Sequence, residues 1–186
     1  DDVPPNEVYA QLATDDGVER ALRKLAALGD NVVWTERRTD AMELLISGKA
    51  AIAAAYSGRA FFEIARGAPI ELIWPGQIYN VVYLAVRKAS AAPELAGELL
   101  AFATAPEQLA RQATHMPYGP MRRSAIPLVG PHATLAIPLV KYLPTAPDNL
   151  ADGLMMDNGW WLANEARLAT RLKDWRENRK QAAKAD

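Results

Sequence analysis

Apolar residues recur at helical spacing over much of this chain. Thr14 and the acidic residues Asp15 and Asp16 precede apolar positions at intervals of three and four residues, and Gly29 follows the last of them. A capping threonine, acidic first-turn residues and a terminal glycine mark the start and the end of a helix. The same pattern predicts amphipathic helices over residues 39–47, 60–65, 93–102, 106–113 and, from Asp157-Asn158, into a basic C-terminal end at 176–184.

Shorter apolar runs separate these helices and predict β-strands. They cover residues 31–34, 51–56, 70–74 and, beyond a Pro75-Gly76 turn, the segment that ends at Val86. Because strands and helices alternate, the sequence predicts an α/β fold with a mixed sheet flanked by helices. Seven prolines between residues 115 and 149 predict an ordered, wrapping connection with at most two short helices.

Composition limits the classes of function. With 186 residues, 50% of them hydrophobic, the chain can form the core of one domain or of two small ones. Its 21 basic and 22 acidic residues nearly cancel, which argues against nucleic acid as a partner. The absence of cysteine excludes thiol catalysis and thiolate metal sites. No apolar run approaches the roughly 18 residues of a membrane span, and the first residues do not form a signal peptide.

Groups suited to catalysis are few. His115 and His132 lie in proline-rich loops without the spacing of metal ligands, and the carboxylates fall mainly on predicted solvated helix faces. The glycines form neither G-x-G-x-x-G nor a P-loop. We therefore predict no enzyme activity, no metal site and no cofactor, and we interpret both histidines as surface or structural residues.

Aromatic and amide side chains at strand ends are the candidates for ligand binding. Tyr56 ends a predicted strand just before Ser57, where the hydroxyl and a helix N-terminus offer hydrogen-bond donors. Arg59 follows in the first turn, and a solvated arginine is favoured there over a contact with a ligand anion.

Further candidates lie beyond that helix. Tyr79 and Asn80 stand where one predicted strand passes into the next, and Tyr118 and Trp161 are aromatic residues near element ends. For each tyrosine or tryptophan, a role in packing at the end of an element is an equal alternative.

Short sequence motifs extend over most of the chain in an ordered series. The series resembles bacterial periplasmic solute-binding proteins of the spermidine/putrescine type, which capture ligands for ABC importers. Its members are Asn6-Glu7-Val8-Tyr9, Gly17-Val18-Glu19-Arg20-Ala21, Tyr56-Ser57-Gly58-Arg59, Gly76-Gln77-Ile78-Tyr79, Tyr118-Gly119-Pro120, Leu143-Pro144-Thr145-Ala146-Pro147-Asp148-Asn149 and Trp160-Trp161.

The resemblance implies two α/β lobes of the type II periplasmic-binding-protein kind, which close over a ligand held in the cleft. It would make this chain the C-terminal half, either a fragment or a truncated relative, with the first lobe and the signal peptide largely absent. It also implies a periplasmic location and the membrane subunits of an importer as partners. Residues 1–77 would be a second-lobe segment, 78–116 a crossover strand with its return segment, and 117–186 a proline-rich wrap with the C-terminal helix. Residues 74–80 would serve as the hinge.

The family's ligand contacts fall on particular residues of this chain. The aromatic box around the aliphatic chain of the amine would be Tyr56 and Tyr118, with Trp161 near a hydrogen-bonding position. Relatives place acidic or tryptophan side chains at Asn80 and an acid at Val82, so the groups that neutralise an ammonium are missing here.

The resemblance therefore implies a substrate-binding component that captures a small organic solute, polyamine-like or related, with weak polyamine binding expected. The alternative is a non-binding structural or interaction remnant of the same fold. If the first lobe is absent, apolar surface is exposed, and we expect the chain to self-associate.

Overall fold

Helices dominate the computed structural model, which describes residues 3–37 and 39–182. None of the described helices combines the length and the hydropathy that crossing a membrane requires. The helices are α1 (Val8–Leu12), α2 (Asp15–Ala27), α3 (Asp40–Ile46), α4 (Ser57–Ala65), α5 (Pro93–Ala103), α6 (Pro106–His115), α7 (Pro147–Leu150) and α8 (Asn158–Ala182). Short 3-10 helices cover Pro5–Glu7, Gly29–Asn31, Arg123–Leu128 and Val140–Tyr142.

The long helices begin where local chemistry predicts them. The Oγ1 atom of Thr14 accepts a hydrogen bond from the amide of Gly17 at 3.1 Å, which caps α2. The Oδ1 atom of Asp157 does the same for the amide of Trp160 at 2.9 Å at the start of α8. Gly29 follows α2 with a φ of 59°, a conformation that glycine adopts without strain. The prediction of these helices is confirmed, although residues 183–184 of the predicted basic end lie outside the described residues.

The predicted strands are mostly wrong. In the described residues, segments 32–34, 51–56, 70–74 and 81–86 belong to no sheet, and Asn31 ends a 3-10 helix. The sheet that does form pairs β1 (Ile78–Tyr79) with β2 (Leu154–Met155) in parallel, with Ile78 opposite Leu154. The predicted mixed sheet is thus corrected to a helix-rich fold with one small parallel pair.

The reason for this difference is the dependence of a strand on its neighbours. Burial alternates along residues 70–74, as it does in a half-covered strand, yet Ile73 on the open side is 70% exposed. Ile52 in the preceding predicted strand is 78% exposed. Local β-propensity alone does not order a strand, because the stabilising contacts are cross-strand and same-face contacts.

The described residues form two compact units, of which the first comprises 3–34 and 156–182. In this unit, arginines of α8 reach α2 and the chain beside it. Arg167 donates a hydrogen bond to the carbonyl of Leu12 at 2.7 Å, and Arg171 pairs with Glu19. The guanidinium of Arg176 lies 4.7 Å from the ring centroid of Trp34.

The second unit comprises residues 35–155 and contains the main apolar cluster. Phe61 of α4 is buried in this cluster, together with small residues of α6 and apolar residues of the proline-rich segment. That segment holds three short helices, where at most two were predicted, namely Arg123–Leu128, Val140–Tyr142 and α7. Proline at the first position of α7 needs no hydrogen bond from its nitrogen, so it starts that helix without cost.

The Pro75-Gly76 turn is attached to the proline-rich segment by side-chain hydrogen bonds. The Nε2 atom of Gln77 donates to the carbonyls of Pro144 at 2.9 Å and Asn149 at 2.6 Å. These bonds give Gln77, which directly follows the turn, a structural role.

Candidate functional site

The N-terminal end of α4 positions two of the predicted ligand contacts. Tyr56 is in an extended conformation just before the helix, and its carbonyl accepts hydrogen bonds from Arg59 at 3.0 Å and Ala60 at 3.2 Å. The amides of Ser57 and Gly58 precede the first residues that can donate within the helix, so they point out of its end. The helix dipole adds partial positive charge there, which favours an anionic group.

Tyr118 comes from the proline-rich segment and lies against this helix end. A Cβ atom added to Gly58 would be 2.9 Å from Cε1 and 3.5 Å from Cδ1 of Tyr118, so the ring edge rests on the bare Cα of the glycine. Tyr56 and Tyr118 are nevertheless 58% and 55% exposed. Two aromatic rings accessible to solvent therefore accompany a helix end at which Ser57 is partly buried and Gly58 is buried.

The loop that carries Tyr118 is closely fitted to its surroundings. Pro117 is fully buried, and the Oγ1 atom of Thr145 donates a hydrogen bond to the carbonyl of Pro120 at 3.1 Å. Any side chain at Gly119 would overlap Thr145, whose own Cβ would be 2.8 Å from the added atom. The backbone of Tyr118 thus has little freedom, while its exposed ring retains some.

Beyond this N-terminal end, the phenylalanines of α4 pack in the core. The ring of Phe61 stacks on His132 with centroids 5.5 Å apart and meets the ring of Tyr142 at 5.0 Å. Phe62 meets the same histidine edge to face at 5.8 Å. His132 is buried and structural, in agreement with the interpretation from sequence.

The other predicted contacts lie elsewhere in the structure. Tyr79 in β1 packs on Gly153, where an added Cβ would be 3.3 Å from its Cδ1. Asn80 accepts a hydrogen bond from the amide of Val81 at 2.8 Å, and Val82 is 79% exposed. Trp161 belongs to the other unit, where its ring centroid lies 5.4 Å from that of Trp160.

Of the seven residues predicted from sequence, the described contacts therefore link Tyr56, Ser57 and Tyr118 through α4. Gly58 was missed as part of this site. The sequence contains one indication of it: a glycine stands at the second position of the helix, where most other residues would fit unless something packs closely against the backbone.

Two other features of the structure bear on possible chemistry. A shallow cavity of about 290 Å³ on α6 is lined by Glu107, Ala110, Arg111, Thr114 and Leu128, none of them a predicted site residue. Within residues 3–37 and 39–182, no cluster of three or more histidine or carboxylate side chains could hold a metal ion. The N-terminal end of α4, with its two exposed tyrosine rings, remains the candidate site.

Comparison with known proteins gives two matches. A sequence model of the family described as bacterial extracellular solute-binding protein matches residues 1–138. The chain is also 32% identical over 175 residues to a protein of Pseudomonas aeruginosa named gamma-aminobutyric acid-binding protein. That match covers 94% of this chain and 48% of the relative, so the chain spans about half the length of the relative.

Proposed function

This chain belongs to the bacterial extracellular solute-binding protein family, and from that premise we propose that it captures a small organic solute for an ABC importer at the N-terminal end of α4. Proteins of this kind bind small solutes and work with membrane subunits, and the chain is a binding protein rather than an enzyme. The contact between the ring of Tyr118 and Gly58 carries the proposal, because it brings an exposed aromatic ring to the N-terminal end of a helix.

The proposed ligand is a small ω-amino acid of the γ-aminobutyrate type. Its carboxylate would accept hydrogen bonds from the amides of Ser57 and Gly58, which the helix dipole favours. Its methylenes and ammonium would lie against the faces of Tyr56 and Tyr118. The relative whose name states that it binds γ-aminobutyric acid supports this class of ligand.

Putrescine and spermidine are the competing ligands, since the motifs of the sequence resemble polyamine-binding members. A diamine has no carboxylate for the helix end, and it needs an anionic partner for each ammonium that leaves water. Val82 supplies no such charge. An amino acid therefore suits the described chemistry better than a polyamine does.

The remaining parts of the proposal come from the family resemblance. Tyr79, Asn80, Val82 and Trp161 stay predicted ligand contacts, and residues 78–116 stay the predicted crossover and return segment. We also propose a type II lobe, a periplasmic location and importer membrane subunits as partners. Self-association stays a prediction that sedimentation tests, and the exposed Val82, Tyr83 and Leu84 support it.

Calorimetric titration of the chain with γ-aminobutyrate, putrescine and spermidine tests the proposal. We expect saturable binding of γ-aminobutyrate and weak or undetectable binding of both polyamines. At a ligand concentration 100 times Kd, the free energy of unfolding should rise by about 2.7 kcal/mol, and a thermal-shift assay detects this increase. If none of the three ligands binds, the non-binding remnant of the fold replaces the proposal.

A further inference from the structure

The loop that carries Tyr118 is held in place on both sides of the tyrosine. Before it, Pro117 is fully buried, and the amide of Tyr118 donates a hydrogen bond to the carbonyl of Met116 at 2.6 Å. After it, Pro120 is also buried. The ring itself is more than half exposed, so the core does not fix its position. The place of the ring therefore depends on how the backbone of residues 117–120 is held.

Thr145 is the residue that contacts this loop after the tyrosine. Its Oγ1 atom donates a hydrogen bond to the carbonyl of Pro120 at 3.1 Å. Its methyl group lies against Gly119, where an added Cβ would be 2.5 Å from Cγ2. Within residues 3–37 and 39–182, the bond from Thr145 is the only hydrogen bond that joins residues 117–120 to a distant part of the chain. One side chain thus holds both residues that follow Tyr118.

The turn that carries Thr145 is anchored separately from the loop. Leu143 is fully buried in the main apolar cluster, and its carbonyl accepts a hydrogen bond from Nδ2 of Asn149 at 2.8 Å. The carbonyl of Pro144 accepts one from Nε2 of Gln77 at 2.9 Å. Because the core and two side-chain hydrogen bonds hold this turn, Thr145 gives the loop a fixed point of attachment.

Gly119 is the flexible joint between this attachment and the tyrosine. Proline fixes its own φ, whereas glycine has access to a wide range of backbone angles, so the angles at Gly119 are set by what surrounds it. Thr145 closes the space beside that glycine and holds the carbonyl of the next residue. Without the hydroxyl, the carbonyl of the buried Pro120 would lose its partner, which is unfavourable, and the loop would gain freedom to shift at Gly119.

We propose that Thr145 is a positioning residue of the binding site, because its hydroxyl holds the loop so that the ring of Tyr118 stays against Gly58 of α4. Thr145 acts through Tyr118 and is not one of the residues proposed to contact the solute. The expected effect on ligand affinity rests on the proposed function, whereas the contact between the ring and Gly58 exists without a ligand.

Three variants separate this role from a contribution to stability alone. Thr145→Val replaces the hydroxyl by a methyl group of similar size, and Thr145→Ser retains the hydroxyl. Thr104→Val is the matched control, because the hydroxyl of the partly buried Thr104 donates to the carbonyl of Leu100 at 2.8 Å. That bond lies at the end of α5, which carries none of the predicted ligand contacts. Both valine variants should lower the unfolding midpoint to a similar degree, since each loses one hydrogen bond.

The first readout is the nuclear Overhauser effect between the ring protons of Tyr118 and the α-protons of Gly58 in the ligand-free chain. We expect it in the unmodified chain, in Thr145→Ser and in Thr104→Val, and we expect it to be weak or absent in Thr145→Val. The second readout is calorimetric titration with γ-aminobutyrate. Its affinity should fall roughly 2- to 10-fold in Thr145→Val and less than about 2-fold in the other two variants.

An undiminished Overhauser effect in Thr145→Val would overturn the proposal, and so would an equal loss of this effect in Thr145→Ser or in Thr104→Val. If γ-aminobutyrate binds to none of the proteins, the proposed function fails, and the ligand-free measurement still decides the role of Thr145. If Thr145→Val does not fold, Thr145→Ala takes its place, because it removes the same hydroxyl without adding a group beside Gly119. The same outcomes then support or overturn the proposal.

Discussion

Gly58→Ala separates the binding role of Tyr118 from a purely structural one. The added Cβ would be 2.9 Å from Cε1 of Tyr118, whereas carbon atoms in favourable contact are about 3.5–4.0 Å apart. The ring must therefore move outward by roughly 0.5–1 Å. Because Tyr118 is more than half exposed, this movement costs little stability, and alanine in the first turn offsets part of it by up to about 1 kcal/mol relative to glycine.

Ligand affinity should respond more strongly than stability. An aromatic or cation–π contact contributes about 0.5–1.5 kcal/mol, so a displaced ring should weaken γ-aminobutyrate binding roughly 2- to 10-fold. Titration calorimetry measures this change, and thermal unfolding measures stability on the same samples.

Gly97→Ala is the matched control, because the added Cβ meets nothing within 4 Å in the interior of α5. It should raise stability by about 0.5–1 kcal/mol and leave affinity unchanged. Unaltered affinity in Gly58→Ala would refute a ligand contact by Tyr118. A large loss of stability in Gly58→Ala would refute the argument that the ring is free to move.

Three further substitutions test other parts of the structure. Ala136→Gly should stabilise the chain by about 1 kcal/mol, because Ala136 has a φ of 54°, which glycine adopts without strain. The control Ala133→Gly should not stabilise it, and equal unfolding midpoints for both variants would contradict this reasoning. Gln77→Ala should lower the free energy of unfolding by about 1–3 kcal/mol in chemical denaturation, because two hydrogen bonds are lost. The exposed control Gln112→Ala should lower it by less than about 0.5 kcal/mol, and similar losses in both variants would argue against a structural role for Gln77. Val82→Asp should raise putrescine affinity in calorimetry by supplying a carboxylate, and tight polyamine binding by the unmodified chain would show that Val82 was misinterpreted.

The candidate site was predictable in part. A tyrosine, a serine and a helix start close together predict an aromatic ring beside a helix N-terminus, and in the structure Tyr56 directly precedes the helix that begins at Ser57. The approach of Tyr118 was inferred from the family resemblance, because the 61 residues between it and Tyr56 give no local indication of their distance. The contact between the Tyr118 ring and Gly58 depends on how two segments distant in sequence pack together.

The burial of His132 also could not be predicted from the sequence alone. The sequence allowed two interpretations of this residue in a proline-rich loop, a surface histidine or a structural one, and offered no way to choose between them. The choice depends on the phenylalanines of α4, which lie about 70 residues earlier in the chain and bury the ring.

The sequence by itself determined the helices of this protein, since caps such as Thr14 and Asp157, proline at first turns and terminal glycines act within one or two turns of the chain. Only the tertiary structure decided which apolar runs became strands. Ile78 and Tyr79 are ordered as a strand because Leu154 and Met155 lie beside them, whereas residues 51–56 and 70–74 are equally apolar and join no sheet among the described residues. A helix satisfies its hydrogen bonds within its own segment, but a strand takes them from a partner distant in sequence.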